Sequence, residues 1–142
     1  MAKTSKNESV VPAKKFDLSH WKITLPLDED SDNKANEIDV KALKKYSHPD
    51  FFYLNEDGHM VFASPNKATT TSNSTNTRSE LRYMHRGKNT RIKTHSAANN
   101  FAVLARRGSN QFGSIGGKME ATLRVDHVAK NAALTTKKTR LL

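Results

Sequence analysis

Residues 77–84 read Thr-Arg-Ser-Glu-Leu-Arg-Tyr-Met, and within them Arg78, Glu80 and Arg82 recur at a spacing of two. Side chains alternate along a β-strand, so these three share one face while Ser79, Leu81 and Tyr83 share the other. An unpaired buried charge costs several kcal/mol, and pairing satisfies at best two of the three. That face must therefore be wet or hold a polar ligand. Two arginines around one glutamate are expected to hold each other's geometry and to leave spare guanidinium donors in a planar fork suited to carboxylate. The chemistry this allows is recognition of an acidic sugar. The same spacing also fits an exposed strand face decorated with cross-strand ion pairs, and spacing alone leaves both readings open.

The elements that must position this face follow from periodicity and turn residues. Residues 1–15 are polar, with Pro12, Lys14 and Lys15, and read as a flexible N-terminal segment. A domain is expected over 16–130, beginning with Phe16-Asp17-Leu18-Ser19-His20-Trp21-Lys22-Ile23-Thr24-Leu25-Pro26. In this segment Trp21, Ile23 and Leu25 alternate with His20, Lys22 and Thr24 in the period of a half-buried strand, which Pro26 stops.

Residues 27–36 are acidic and read as an exposed loop. A calcium site from Asp28, Asp30 and Asp32 would need the EF-hand's glycine at position six and glutamate at position twelve, and neither appears. No metal is expected there. Over 37–46 the spacing of Ile38, Val40, Leu43 and Tyr46, with Asp39 able to cap, predicts one short helix. Residues 51–54 and 60–63 flank a segment containing Asp57-Gly58, which supplies the backbone angles of a hairpin.

Residues 67–77, a run of Thr, Ser and Asn, predict a loop beside the strand at 77–84. Two further strands are expected at 100–106 and 118–128. In the second, Met119, Ala121, Leu123 and Val125 oppose Lys118, Glu120, Thr122, Arg124 and Asp126, a pattern of one-sided burial. Short strands with frequent turns predict an all-β fold, an antiparallel β-sandwich or jelly roll with one short helix. The alternation stops after Lys130, and residues 131–142 read as a disordered basic tail.

The 142 residues carry 24 Lys and Arg against 14 Asp and Glu, a formal charge of +10. Such a chain attracts polyanions, but nucleic acid, anionic lipid and acidic polysaccharide all satisfy that description. The basic residues are dispersed, and no helix-turn-helix, zinc-finger or RNA-binding signature is present, so no nucleic acid is expected. Without cysteine there is neither a disulfide framework nor a thiolate metal site. His20, His48, His59, His85, His95 and His127 lack the spacing of a ligand set and read as surface or turn residues. No apolar run of signal-peptide or membrane-span length occurs, so the chain as written is expected in the cytoplasm and off membranes.

Three segments in order carry a resemblance. Arg-Ser-Glu-Leu-Arg at 78–82, preceded by Thr75-Asn76-Thr77, resembles the first signature motif of the alginate lyases of polysaccharide lyase family seven. Residues 16–26 resemble that family's first strand, and Gly116-Gly117-Lys118-Met119-Glu120-Ala121-Thr122-Leu123-Arg124-Val125 resembles the strand before its second motif. The resemblance implies the amino-terminal part of a β-jelly roll whose Arg-Ser-Glu-Leu-Arg strand lines a groove for alginate. It implies a β-elimination in which the uronate carboxylate is neutralised, the C5 proton is removed and the 4-O-glycosidic bond breaks to leave an unsaturated sugar. Arg78 would neutralise the carboxylate as the catalytic residue, and Arg78, Glu80 and Arg82 would bind the substrate.

The resemblance further implies an alginate or other acidic polysaccharide partner, no cofactor, a monomer and a secreted or periplasmic location. The family's later Gln-Ile-His or Gln-Val-His motif and its tyrosine-bearing motif are missing from this sequence. A frameshift or premature stop after Lys130 is the expectation that fits this. The fragment is then expected to be inactive. A non-catalytic acidic-polysaccharide-binding module is the alternative, and a basic nucleic-acid-binding protein a third reading.

Overall fold

Alternating burial explains the first sheet. The computed structural model describes residues 10–128, so the expected tail at 131–142 and most of the expected flexible start lie outside the described residues. Strand β1 (Trp21–Leu25) is central, flanked by β2 (Asn36–Ile38) and β5 (Glu80–Tyr83), all antiparallel. Ile23 pairs with Ile38 on one side and Leu81 on the other, so one face of the sheet is apolar across all three strands. Thr24 pairs with Glu37 and Glu80, and Lys22 with Arg82, so the opposite face is polar across the same strands.

The apolar face covers a core of Leu18, Ile23, Leu25, Leu43 and Phe52, with Trp21, Ile38, Tyr46, Met60 and Leu81 packed around it. Phe52 belongs to a second sheet, the antiparallel hairpin β3 (Phe52–Leu54) and β4 (Met60–Phe62). Its connection uses Gly58 at φ 72°, in the left-handed region that favours glycine, and Asn55 accepts backbone hydrogen bonds from Gly58 and, through its side chain, from His59.

The structure departs from the sequence reading at four places. Packing begins before Phe16: Pro12–Lys14 form a 3-10 turn and Pro12 is fully buried. The helix expected over 37–46 is replaced by β2 and a 3-10 turn at Ala42–Lys45, because Ile38 is drawn into the sheet opposite Ile23. Asp39 still caps, its Oδ1 accepting from the Lys41 and Ala42 amides at 2.9 Å. The strand expected over 100–106 shrinks to β6 (Phe101–Ala102), which pairs in parallel with β7 (Ser114–Ile115) rather than antiparallel. Residues 118–128 form no strand among the described residues, leaving Met119 81% and Val125 63% exposed. A period-two pattern becomes a strand only where a neighbour offers its backbone, and among the described residues no strand pairs with this segment.

Two predictions follow from the core. Phe52→Ala removes a fully buried ring and should cost about 3–5 kcal/mol, read as a lower denaturant midpoint. The Tyr46 hydroxyl is buried with no hydrogen-bond partner, and burial, with Glu29 nearby, raises its pKa above the ordinary value of 10.0. A tyrosine whose folded pKa is raised contributes stability that is complete below its unfolded pKa and lost as pH rises through the folded value. Tyr46→Phe should therefore be neutral or stabilising by up to about 1 kcal/mol at neutral pH and should flatten the loss of stability above pH 10.0 in thermal melts.

Candidate functional site

The polar face of the β2–β1–β5 sheet is the floor of a groove of about 510 Å³. Its floor residues are Lys22 and Thr24 from β1, Glu37 from β2, and Glu80 and Arg82 from β5, with Arg78 just before β5. One wall is the loop at 71–74 and the other is the acidic loop carrying Asp30, Asp32 and Lys34, while exposed His95 lines the rim. The Thr, Ser and Asn loop thus lies beside the strand that follows it. Its hydroxyls and amides can bond sugar hydroxyls without introducing further charge.

Arg78, Glu80 and Arg82 come together on this floor, as strand parity requires. Their mutual pairing differs from the expected triad. Arg78 Nη1 reaches Glu80 Oε2 at 3.5 Å, and its other Nη donates to the Ser74 hydroxyl. Arg82 instead donates to Asn100 Oδ1 at 3.2 Å. The register explains the difference: Arg82 sits directly opposite Lys22, and like charges facing each other across a sheet repel. Each cation turns to its own partner, Arg82 to Asn100 and Lys22 to Glu37. Tyr83, on the other face, packs its ring edge-on against Trp21 at 5.3 Å between centroids.

Sequence reasoning missed Lys22, Thr24 and Glu37 as groove residues and Asn100 as the partner of Arg82, and read His95 only as a surface residue. The signal for Lys22 and Thr24 was their place on the polar face of the first strand. Asn100 and His95 depend on the path of the segment after β5. Buried Asn99 fixes that path, donating to the Thr94 carbonyl at 2.8 Å and accepting from the Arg86 amide at 3.0 Å.

In the acidic loop, Asp28, Asp30 and Asp32 bring carboxylate oxygens within 4.8 Å of one another. Asp28 Oδ2 accepts from the Asn33 amide at 3.1 Å, and Asp32 accepts from the Lys34 amide at 2.8 Å and its ammonium at 3.2 Å. Ser31 and Asn33, at φ 59° and 61°, give this loop its tight path.

The two-faced β-sheet thus backs a polar groove, lined by Lys22, Lys34, Arg78 and Arg82 and by Asp30, Asp32, Glu37 and Glu80, with an apolar core. Residues 16–137 match the family model described as Alginate lyase, and the chain belongs to that family. It is 43% identical over 122 residues to an alginate lyase of Klebsiella pneumoniae, covering 82% of this chain and 40% of that protein. Its structure resembles the crystal structure of the alginate lyase from Klebsiella pneumoniae, with TM-score 0.70, 38% identity, and coverage of 75% of this chain and 39% of that one. It also resembles alginate lyase A1-II', a member of polysaccharide lyase family-7, with TM-score 0.52, 36% identity, and coverage of 68% and 37%. A structure of A1-II' in complex with product (GGG) aligns at TM-score 0.52 and 35% identity, covering 68% of this chain and 38% of that one. The chain spans about two fifths of the length of these relatives. Its fold class is the β-sandwich jelly roll of these lyases.

Asn99→Ala would strand the Arg86 amide and the Thr94 carbonyl. A loss of about 2–4 kcal/mol is expected, together with faster hydrogen exchange over 86–99. Unchanged exchange there would show that Asn99 does not fix the rim.

Proposed function

We propose that this chain recognises alginate through the β2–β1–β5 groove, and that Arg78 neutralises a uronate carboxylate in the β-elimination of an alginate lyase. The observation that carries the reading is the convergence of Arg78, Glu80 and Arg82 on one polar sheet face in a chain of this family. Arg78 is two-thirds buried and only loosely paired with Glu80, so its guanidinium keeps donors for a ligand carboxylate. Neutralising that carboxylate stabilises the enolate-like charge that develops as C5 loses its proton, and the 4-O-glycosidic bond then breaks to give an unsaturated uronate. Glu80, half-exposed and acceptor-only, suits the sugar hydroxyls between the two arginines, and Arg82 a further acidic group. An alginate chain is a polymer, so a secreted or periplasmic site of action goes with this reading.

The proton transfers need a positioned base and acid. The histidine and tyrosine motifs that the resemblance implies for these roles do not occur in this sequence. That observation favours a second reading for the chain on its own, a binder of acidic polysaccharide without turnover.

Titration with alginate oligosaccharides separates the readings. The chain should bind at low ionic strength and lose affinity as salt is raised. Arg78→Ala should weaken binding about 10–100-fold, the worth of a charged hydrogen-bonded contact, without lowering the melting temperature. Growth of unsaturated-uronate absorbance that Arg78→Ala abolishes would establish the lyase, and binding without it the binder. Equal affinity for DNA and alginate at matched salt would show a generic polyanion surface instead. Unchanged affinity in Arg78→Ala would remove Arg78 from the site.

A further inference from the structure

We propose that Lys22 forms, together with Arg82, a second carboxylate-binding position in the groove, and that Glu37 holds this position in the free protein as a displaceable stand-in for a substrate carboxylate. The inference deepens the alginate-binding reading and rests on it.

The register places Lys22 directly opposite Arg82, with Cα atoms about 4.5–5.5 Å apart as in any antiparallel pair. Two cations therefore share one row of the groove floor. Glu37 pairs with Lys22, and among the described residues no carboxylate forms an ion pair with Arg82, whose partner is the neutral Asn100. The row holds two positive charges, and the one carboxylate paired with it, Glu37, reaches in from the next row. The row can take one more anion, and doing so would relieve the repulsion between its two cations.

The burial of the Lys22–Glu37 pair is lopsided. The Lys22 side chain is 7% exposed and the Glu37 side chain 52%. Removing the carboxylate leaves a nearly dry ammonium without a counter-charge, which is costly, whereas the carboxylate itself swings into water readily. Exchange is favoured only if the incoming group is itself a carboxylate that takes over the ammonium. A neutral polysaccharide cannot do this, and a polyuronate can. Glu37 thereby acts as a filter, since only a ligand that replaces its charge can reach the Lys22–Arg82 row. Thr24, between Glu37 and Glu80 in the next row, keeps those two carboxylates on separate strands flanking β1.

The test uses the full chain and a fluorescently end-labelled alginate tetrasaccharide, with binding read by anisotropy and folding by thermal melts. Lys22→Met should weaken binding at least about tenfold and Lys22→Arg should restore it. Glu37→Gln should tighten binding several-fold, and that gain should vanish in the Lys22→Met background. A measurement that needs no substitution follows the Glu37 carboxyl carbon by NMR, which should move toward the resonance of a solvated glutamate as the oligosaccharide saturates the chain. If Arg78→Ala weakens binding while the Lys22 and Glu37 variants bind as the parent does and the Glu37 resonance stays fixed, the second position is wrong and the alginate reading stands. If neither the parent nor Glu37→Gln binds, the alginate reading falls and this inference with it. Should the substituted chains fail to melt cooperatively, the Glu37 resonance of the parent decides.

Discussion

The strict two-residue alternation of a central strand sandwiched between two antiparallel neighbours is the constraint on which the rest depends. On β1, Ile23 and Leu25 must point one way and Lys22 and Thr24 the other. The first pair nucleates the core with Phe52 and Leu43, and the second pair is thereby committed to the groove. A one-residue slip against β5 would bring Arg82 into the core and Leu81 onto the groove floor, at a cost no local contact could offset. Core and site are two sides of one register.

That commitment sets the electrostatics. Cations forced opposite each other need partners from outside their own row, and the sheet supplies them unequally. Lys22 receives a carboxylate from β2, Arg82 an amide from the segment after β5, and Arg78 a serine hydroxyl and a distant carboxylate. The groove floor is left with three cations, Lys22, Arg78 and Arg82, against two acids, Glu37 and Glu80, and on the proposed reading this excess is what an acidic polysaccharide would meet. The flanking loops add hydroxyls and amides on one wall and acids on the other, so the trough is polar throughout while its back is apolar.

Much of this was legible in the sequence wherever local chemistry decides the outcome. The alternation at 16–26 and 77–84 marks two strands that do pair, and Asp57-Gly58 marks a hairpin that does close. The grouping of Arg78, Glu80 and Arg82 needed only parity. What was not legible depends on which segments become neighbours. Ile38, Val40, Leu43 and Tyr46 have approximate helical spacing, yet Ile38 pairs in the sheet because Ile23 lies beside it. Glu80 was expected between two arginines, but Arg82 turns away because of Lys22, a residue sixty positions upstream. The alternation at 118–128 is as regular as that at 16–26 and finds no neighbouring strand among the described residues. Pattern specifies what a segment can do, and contact decides whether it does it.

A crystal structure of the chain with a bound uronate trisaccharide tests the central claim most directly. The sugar chain should lie over the polar face of the β2–β1–β5 sheet with a carboxylate against Arg78. An oligosaccharide seated anywhere else on the molecule, or Arg78 and Arg82 found on opposite surfaces, would contradict the account.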